Sequence, residues 1–319
     1  MMSHPSSSGQ SQLIVVSQHA PWKFSRTWLS NINGDQTMMT RRRAPSPPLG
    51  VVIVSQVPIQ MEDRMPAAGT GTGRARRCGF VVWLHGLGDC GRANEFIADH
   101  FSAAAFSDTR WAFPTAPTAP VTCNRGALMT SWFDIHDAPP ITSARQICSS
   151  NEEDVLRAVQ IVHTMIDREI AAGTNPEDVF VFGLSQGGAL SIASVLLYPK
   201  TLGGCAVFSG FLPFNSTSFA ARVTEEAKKT PVLWIHGGAD SLIPIQEGRD
   251  GVKFLRGLGM TCEFKAYDRL GHRLAPYEME YCERWASENI QNEHREDLKL
   301  ENGGLQGSKF CGVFSCFSK

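Results

Sequence analysis

The sequence predicts an α/β fold with a mostly parallel central sheet flanked by helices, and three observations carry that expectation. From Cys78 onward, short β-rich runs alternate with helix-length amphipathic segments, the pattern of an open sheet with crossover helices. The β-rich runs are nearly continuous in apolar residues, as strands buried on both faces are. With 319 residues and 42% hydrophobic content, the chain is long enough to bury a substantial core.

The expected strands are Phe80–Leu84, Arg110–Phe113, Val179–Gly183, Gly204–Ser209, Val232–His236 and Cys262–Tyr267. The clearest helix begins after Asn151, a good cap, and places Val155, Val159, Val162, Ile166 and Ile170 on one stripe. Glu152, Glu153 and Asp154 suit the positive end of its dipole. Gly173 ends it, and Asn175-Pro176 turns the chain into the next strand. Further helices are expected at Arg92–Ala104, Gln186–Tyr198, Gln246–Leu258 and Pro276–Asn289. Residues 114–150 are Pro-rich and read as a long irregular loop, of the kind that forms a lid or pocket wall.

The ends of the chain differ from its body. Residues 1–77 carry 9 Lys/Arg against 3 Asp/Glu, a net +6, and residues 78–319 carry 21 against 28, a net −7. Ser6-Ser7-Ser8, Arg41-Arg42-Arg43 and the Gly69–Gly73 repeat make residues 1–77 a disordered extension, with some character of an organellar transit peptide. The domain is expected over residues 78–290 and a flexible tail over 291–319. In that tail Cys311 and Cys316 lie among Phe and Val, where S-acylation would give peripheral membrane contact. The mildly acidic body argues against nucleic acid as a partner. Nine cysteines without a CxxC pair or zinc spacing argue against a disulfide scaffold and fit a reducing compartment. The expected location is therefore cytoplasmic, with a plastid or mitochondrion as the alternative should the extension be a targeting signal.

The chemistry centres on "VFVFGLSQGGAL", residues 179–190. A strand, then Gly-x-Ser-x-Gly, then a helix is a nucleophile elbow, in which a strained turn lifts the serine above the sheet. Ser185 is thus the candidate nucleophile. A serine needs a base and the base an orienting acid, and around such an elbow they follow in the order Ser, Asp/Glu, His. Three histidines follow Ser185. His294 lies in a polar tail, His236 closes an apolar strand as a packed residue, and His272 sits in a loop at the carboxyl edge of the sheet, where a base belongs. Asp240 in "HGGAD" is the candidate acid, while Asp268 reads as a turn residue. For a developing oxyanion, the backbone N–H groups of Gln186 and of Leu87 in "LHGLGD" are the candidate donors. His85 reads as a hydrogen-bonding residue of that loop, and Asp89 as a loop anchor or cap.

The motifs "LHGLGD" (84–89), "FPTAPTAPVT" (113–122), "SWFDI" (131–135), "GLSQGGALS" (183–191), "HGGAD" (236–240) and "LGH" (270–272), in this order, resemble the acyl-protein thioesterase/lysophospholipase/small carboxylesterase family of α/β-hydrolases. "AAGTNPED" and "LLYPKTLGG" resemble its plant branch. The likeness covers about residues 78–290. It implies a cofactor-free serine hydrolase of acylated proteins or small esters, with the triad on Ser185, Asp240 and His272 and the oxyanion donors on Leu87 and Gln186. It also places Trp132 in the pocket wall, where buried aromatic packing is an equal reading. Lysine deacetylation on the same triad and an inactive hydrolase-fold receptor or interaction module are the alternatives that the resemblance leaves.

Overall fold

The computed structural model describes residues 63–64, 79–136, 152–214 and 219–304. Asn151, Cys311 and Cys316 lie outside the described residues, as do 137–150 and most of the expected N-terminal extension.

Six strands run parallel: β2 (Phe80–Leu84), β3 (Arg110–Ala112), β6 (Val179–Leu184), β7 (Gly204–Phe208), β8 (Val232–Gly237) and β9 (Cys262–Tyr267). Their spatial order is β3-β2-β6-β7-β8-β9. A short strand, β1 (Asp63–Arg64), joins the β3 edge antiparallel, opposite Ala112 and Trp111. The segment expected to be an extension up to residue 77 thus reaches the sheet at one place. The expectation missed it because two polar residues satisfying an open edge leave no hydrophobic pattern to read.

Successive residues along each strand face opposite layers. Phe80, Val82, Val179, Val181, Cys205, Val207, Val232 and Trp234 pack into one core with the helices Glu152–Ala171, Gln186–Leu197 and Ile245–Gly257. Val81, Trp83, Phe180, Phe182, Ala206, Phe208, Leu233 and Ile235 pack into the other, with Ile97, Met279, Cys282 and Ala286. Each of these strands has both faces covered, which is why their sequences read as unbroken apolar runs. On the helix Glu152–Ala171 Val155, Val159, Val162 and Ile166 of the expected stripe are buried, while Ile170 is partly buried against the same core. Gly173, with φ +106, ends it as expected.

Three segments depart from the sequence reading. Arg92–His100 is a 3₁₀ helix rather than part of an α-helix. Its start is held by the Asn94 amide, which donates to Asp89 Oδ2 at 2.9 Å and to Cys90 O at 2.9 Å. The described part of the expected loop, 114–136, contains a hairpin, β4 (Thr118–Val121) with β5 (Ala127–Thr130). The chain turns there through Arg125 and Gly126 at φ 58 and 74. The last helix runs Pro276–Gly304 and takes in part of the expected tail. Residues 290–300 are rich in Gln, Glu, Lys and Leu and lack proline, so nothing local stops the helix before Asn302-Gly303-Gly304.

Candidate active site

Ser185 stands between β6 and the helix Gln186–Leu197 with φ 57 and ψ −118, a conformation few non-glycine residues adopt. The surroundings enforce it. The Ser185 N–H donates to Phe208 O at 2.8 Å, and its carbonyl accepts from Ala189 N at 3.0 Å. The glycines on either side permit the close approach. A methyl group at Gly187 would lie 2.0 Å from Leu84 O, and one at Gly183 would lie 2.5 Å from the Gly187 carbonyl. The strand, the helix and the neighbouring strand therefore meet backbone to backbone, and the serine side chain is left at the carboxyl edge of the sheet.

Two loops at that same edge bring up the partners. After β9, the chain turns through Tyr267–Leu270 and presents His272, whose Nε2 lies 2.9 Å from Ser185 Oγ. After β8, Asp240 places Oδ2 2.7 Å from His272 Nδ1. The other Asp240 oxygen accepts from the N–H groups of Leu242 and Ile243, each at 2.9 Å. Burial alone would raise the Asp240 carboxyl. The bonds from His272, Ile243 and Leu242 outweigh it and hold the group below the ordinary aspartate value. The three side chains picked from the sequence thus form one chain of hydrogen bonds across 87 residues of sequence.

The rival residues are engaged otherwise, although His236 Nε2 comes within 3.8 Å of Asp240 Oδ2. His236 is fully buried, bonded through Nε2 to Ile243 O at 2.9 Å, and burial lowers its pKa. Asp268 sits in the turn after β9, its backbone against Gly238. His294 lies far along the last helix. Asp89 accepts from Cys90 N at 2.8 Å and from the Asn94 amide.

The turn His85–Gly88, which follows β2, lies over the serine: a methyl group at Gly86 would be 3.5 Å from Ser185 Cβ. Leu87 is half-buried there, packed against the first core. Among the described residues, neither the Leu87 N–H nor the Gln186 N–H is taken up by the backbone bonds of turns, loops and caps. The hairpin β4–β5 braces this turn, since Gly88 N donates to Thr130 O at 2.8 Å. Behind it lies a buried polar network that the sequence did not signal. The Gln186 amide accepts from Trp132 N at 3.1 Å and donates to Ser131 Oγ at 3.0 Å and Phe133 O at 2.7 Å. Trp132, expected in the pocket wall, is only 4% exposed and donates its indole N–H to His85 O at 2.9 Å. Among the described residues no group of three or more His, Cys, Asp or Glu is placed to hold a metal ion.

A strained serine bonded to a histidine–aspartate pair, beside free backbone donors, is an arrangement suited to acyl transfer. Comparison with known proteins agrees. The family model for phospholipase/carboxylesterase matches residues 70–290. The chain belongs to that family. A rice relative (Oryza sativa subsp. japonica) is 76% identical over 228 residues, 71% of this chain and 91% of its own length, and is named a probable inactive carboxylesterase. The carboxylesterase SOBER1 of Arabidopsis thaliana is 51% identical over 221 residues, 69% of this chain and 95% of that one. Its crystal structure superposes with a TM-score of 0.63 at 52% identity, covering 66% of this chain and 99% of that one. More distantly, acyl-protein thioesterase 1 of Kluyveromyces lactis is 31% identical over 214 residues, 66% of this chain and 92% of its own. The phospholipase/carboxylesterase fold therefore accounts for the described sheet from β2 to the last helix.

Proposed function

We propose that this family member is a serine hydrolase of carboxylic esters and acyl thioesters. The observation that carries the reading is the chain of bonds Ser185–His272–Asp240, at 2.9 and 2.7 Å. In the first half-reaction His272 Nε2 takes the Ser185 proton as Oγ bonds to the acyl carbon. The carbonyl oxygen becomes an oxyanion facing the Leu87 and Gln186 N–H groups. The bond to the alcohol or thiol then breaks, and the departing alkoxide or thiolate takes the proton from His272 Nε2, which returns the imidazole to its neutral form. In the second half His272 takes a proton from water, hydroxide adds to the acyl carbon, and the acid departs as Ser185 recovers its proton. Asp240 keeps the Nδ1 proton in place throughout and favours the imidazolium. Acylated proteins are the proposed substrate kind, supported by the thioesterase relatives; a lysine amide, with a far poorer leaving group, asks more of the same groups.

The name of the rice relative supports a second reading, an inactive hydrolase-fold module. The complete set of groups favours activity, because nothing in a pure binding module requires a serine held at φ 57. Hydrolysis of p-nitrophenyl acetate and butyrate, with Ser185→Ala as control, decides. The expected result is turnover and fluorophosphonate labelling, both lost in Ser185→Ala. A wild-type protein with no more turnover or labelling than the variant would overturn the reading and leave the binding module.

A further inference from the structure

The turn that crosses over Ser185 has two consecutive peptide units pinned by their oxygens. The His85 carbonyl accepts from the Trp132 indole N–H at 2.9 Å. The Gly86 carbonyl accepts from the His85 ring at Nδ1, 2.7 Å away, and from Asp89 N at 3.2 Å. The second contact matters because the Gly86 carbonyl and the Leu87 N–H belong to one planar trans peptide, in which they point in opposite directions. To hold the oxygen is to aim the N–H.

The ring can do this in only one protonation state. His85 Nε2 lies 3.0 Å from the backbone N–H of Ala116, a group that can only donate. Nε2 must therefore be the acceptor, and the proton sits on Nδ1, facing Gly86 O. The ring is fully buried, and burial lowers its pKa, so the neutral form persists. Asp89, whose charge works against this, is turned to Cys90 N and Asn94.

Trp132 has a second hold. Its ring lies 5.1 Å from that of His85, and its own backbone N–H donates to the Gln186 side chain at 3.1 Å. One residue thus fastens the segment bearing the Leu87 N–H to the segment bearing the Gln186 N–H. We propose that His85 and Trp132 are positioning residues that aim the Leu87 N–H at the oxyanion and set its spacing from the Gln186 N–H. This rests on the reading of Ser185 as nucleophile. Donors fixed in advance favour the transition state over the bound ester, so loosening them lowers kcat and leaves KM nearly unchanged.

Trp132→Phe is the deciding variant. It keeps an aromatic ring against His85 and the backbone bond to Gln186, and deletes the indole donor with part of the ring. On p-nitrophenyl acetate kcat is expected to fall about tenfold with KM within about twofold, a fraction of the loss when a whole oxyanion donor is removed. The inhibition constant of an alkylboronic acid, whose serine adduct carries the tetrahedral oxygen, should rise by a similar factor, with an unchanged circular dichroism spectrum. His85→Phe, which frees the Gly86 carbonyl, should cost more. Because that variant could fail to fold, Trp132→Phe alone carries the test. A kcat and a boronate constant both within twofold of wild type overturn the proposal. So does a KM that climbs with acyl length while the boronate constant stays put, which assigns Trp132 to the pocket wall. Failure of the Ser185 reading looks different: wild type and Ser185→Ala would then be indistinguishable before any Trp132 variant is made.

Discussion

His272 Nδ1 and Asp240 Oδ2 stand 2.7 Å apart, while the other oxygen of the same carboxylate is taken by two backbone N–H groups. Asp240 therefore cannot rotate to offer a different face, and the imidazole it holds has one orientation. Asp240→Asn is isosteric, but its amide can present an N–H where the carboxylate accepted, which reverses the favoured tautomer of His272. On the proposed mechanism kcat should drop by roughly 10³ to 10⁴ for p-nitrophenyl esters. The carboxyl is also held below its ordinary value of 3.8 in the folded chain. Its stabilisation is complete above that pH and is lost as pH falls through the folded value. Acid unfolding of Asp240→Asn, followed by fluorescence, should therefore be less steep below about pH 4 than that of wild type.

Ser185 pays for its place in backbone strain, with φ 57 and ψ −118. Glycine reaches that region freely and alanine does not. Ser185→Gly and Ser185→Ala both remove the hydroxyl, and both should abolish esterase turnover. They should differ in stability: strain of this kind costs about 1–3 kcal/mol, part of which glycine returns through its larger unfolded-state entropy. The glycine variant is expected to melt several degrees above the alanine variant. Equal melting temperatures would show that the turn is not strained.

The Gln186 side chain is fully buried and makes three hydrogen bonds to residues 131–133. Gln186→Met keeps the volume and strands the Trp132 N–H, while the Ser131 hydroxyl and the Phe133 carbonyl keep only their mutual bond of 2.7 Å. A stranded buried group costs about 1–3 kcal/mol, so urea unfolding should show a loss of at least about 1 kcal/mol. A loss under about 0.5 kcal/mol would mean that solvent reaches the network.

The parallel sheet was legible because each central strand is buried on both faces and so wrote an unbroken apolar run into the sequence. The elbow was legible because only glycine fits at 183 and 187, where a Cβ would come within 2.0 to 2.5 Å of neighbouring backbone. His272 and Asp240 followed from chain order and from standing just beyond strand ends, where the structure brings them within hydrogen-bond distance of their partners. The β4–β5 hairpin was not legible. Its strands are four residues long, one contains Pro120, and most of their side chains are partly or fully exposed, so no alternation marks them. The bonds of Gln186 and Trp132 were equally hidden, since they join residues 47 to 55 apart that no periodicity relates. The 3₁₀ turn at Arg92–His100 has the composition of an α-helix, and its tighter winding goes with a start anchored by Asn94 to Asp89 and Cys90.

Glu278 gives the last test, because it is a carboxyl group 1% exposed in the first turn of the helix that follows the His272 loop. Its Oε2 accepts from Ala275 N at 2.8 Å, closing the start of the last helix. Burial, helped by the charge of Asp240, pushes its pKa up to about 8 against the pull of the Ala275 bond and of Arg273. Tyr267 and Cys282 also feel its charge. An ordinary glutamate ionises near 4.5, so between that pH and about 8 the folded chain holds a proton that the unfolded chain has released. Stability from this group is thus complete below about pH 4.5 and falls as pH rises through 8, at about 1 kcal/mol per unit where the slope is steepest. Glu278→Gln keeps an acceptor for Ala275 and has no proton to lose. Across pH 5 to 9 its unfolding free energy should therefore decline less than that of wild type, with the gap between the two curves widening toward the alkaline end. Parallel curves would show that Glu278 is ionised throughout, with water or a cation reaching it beside Arg273.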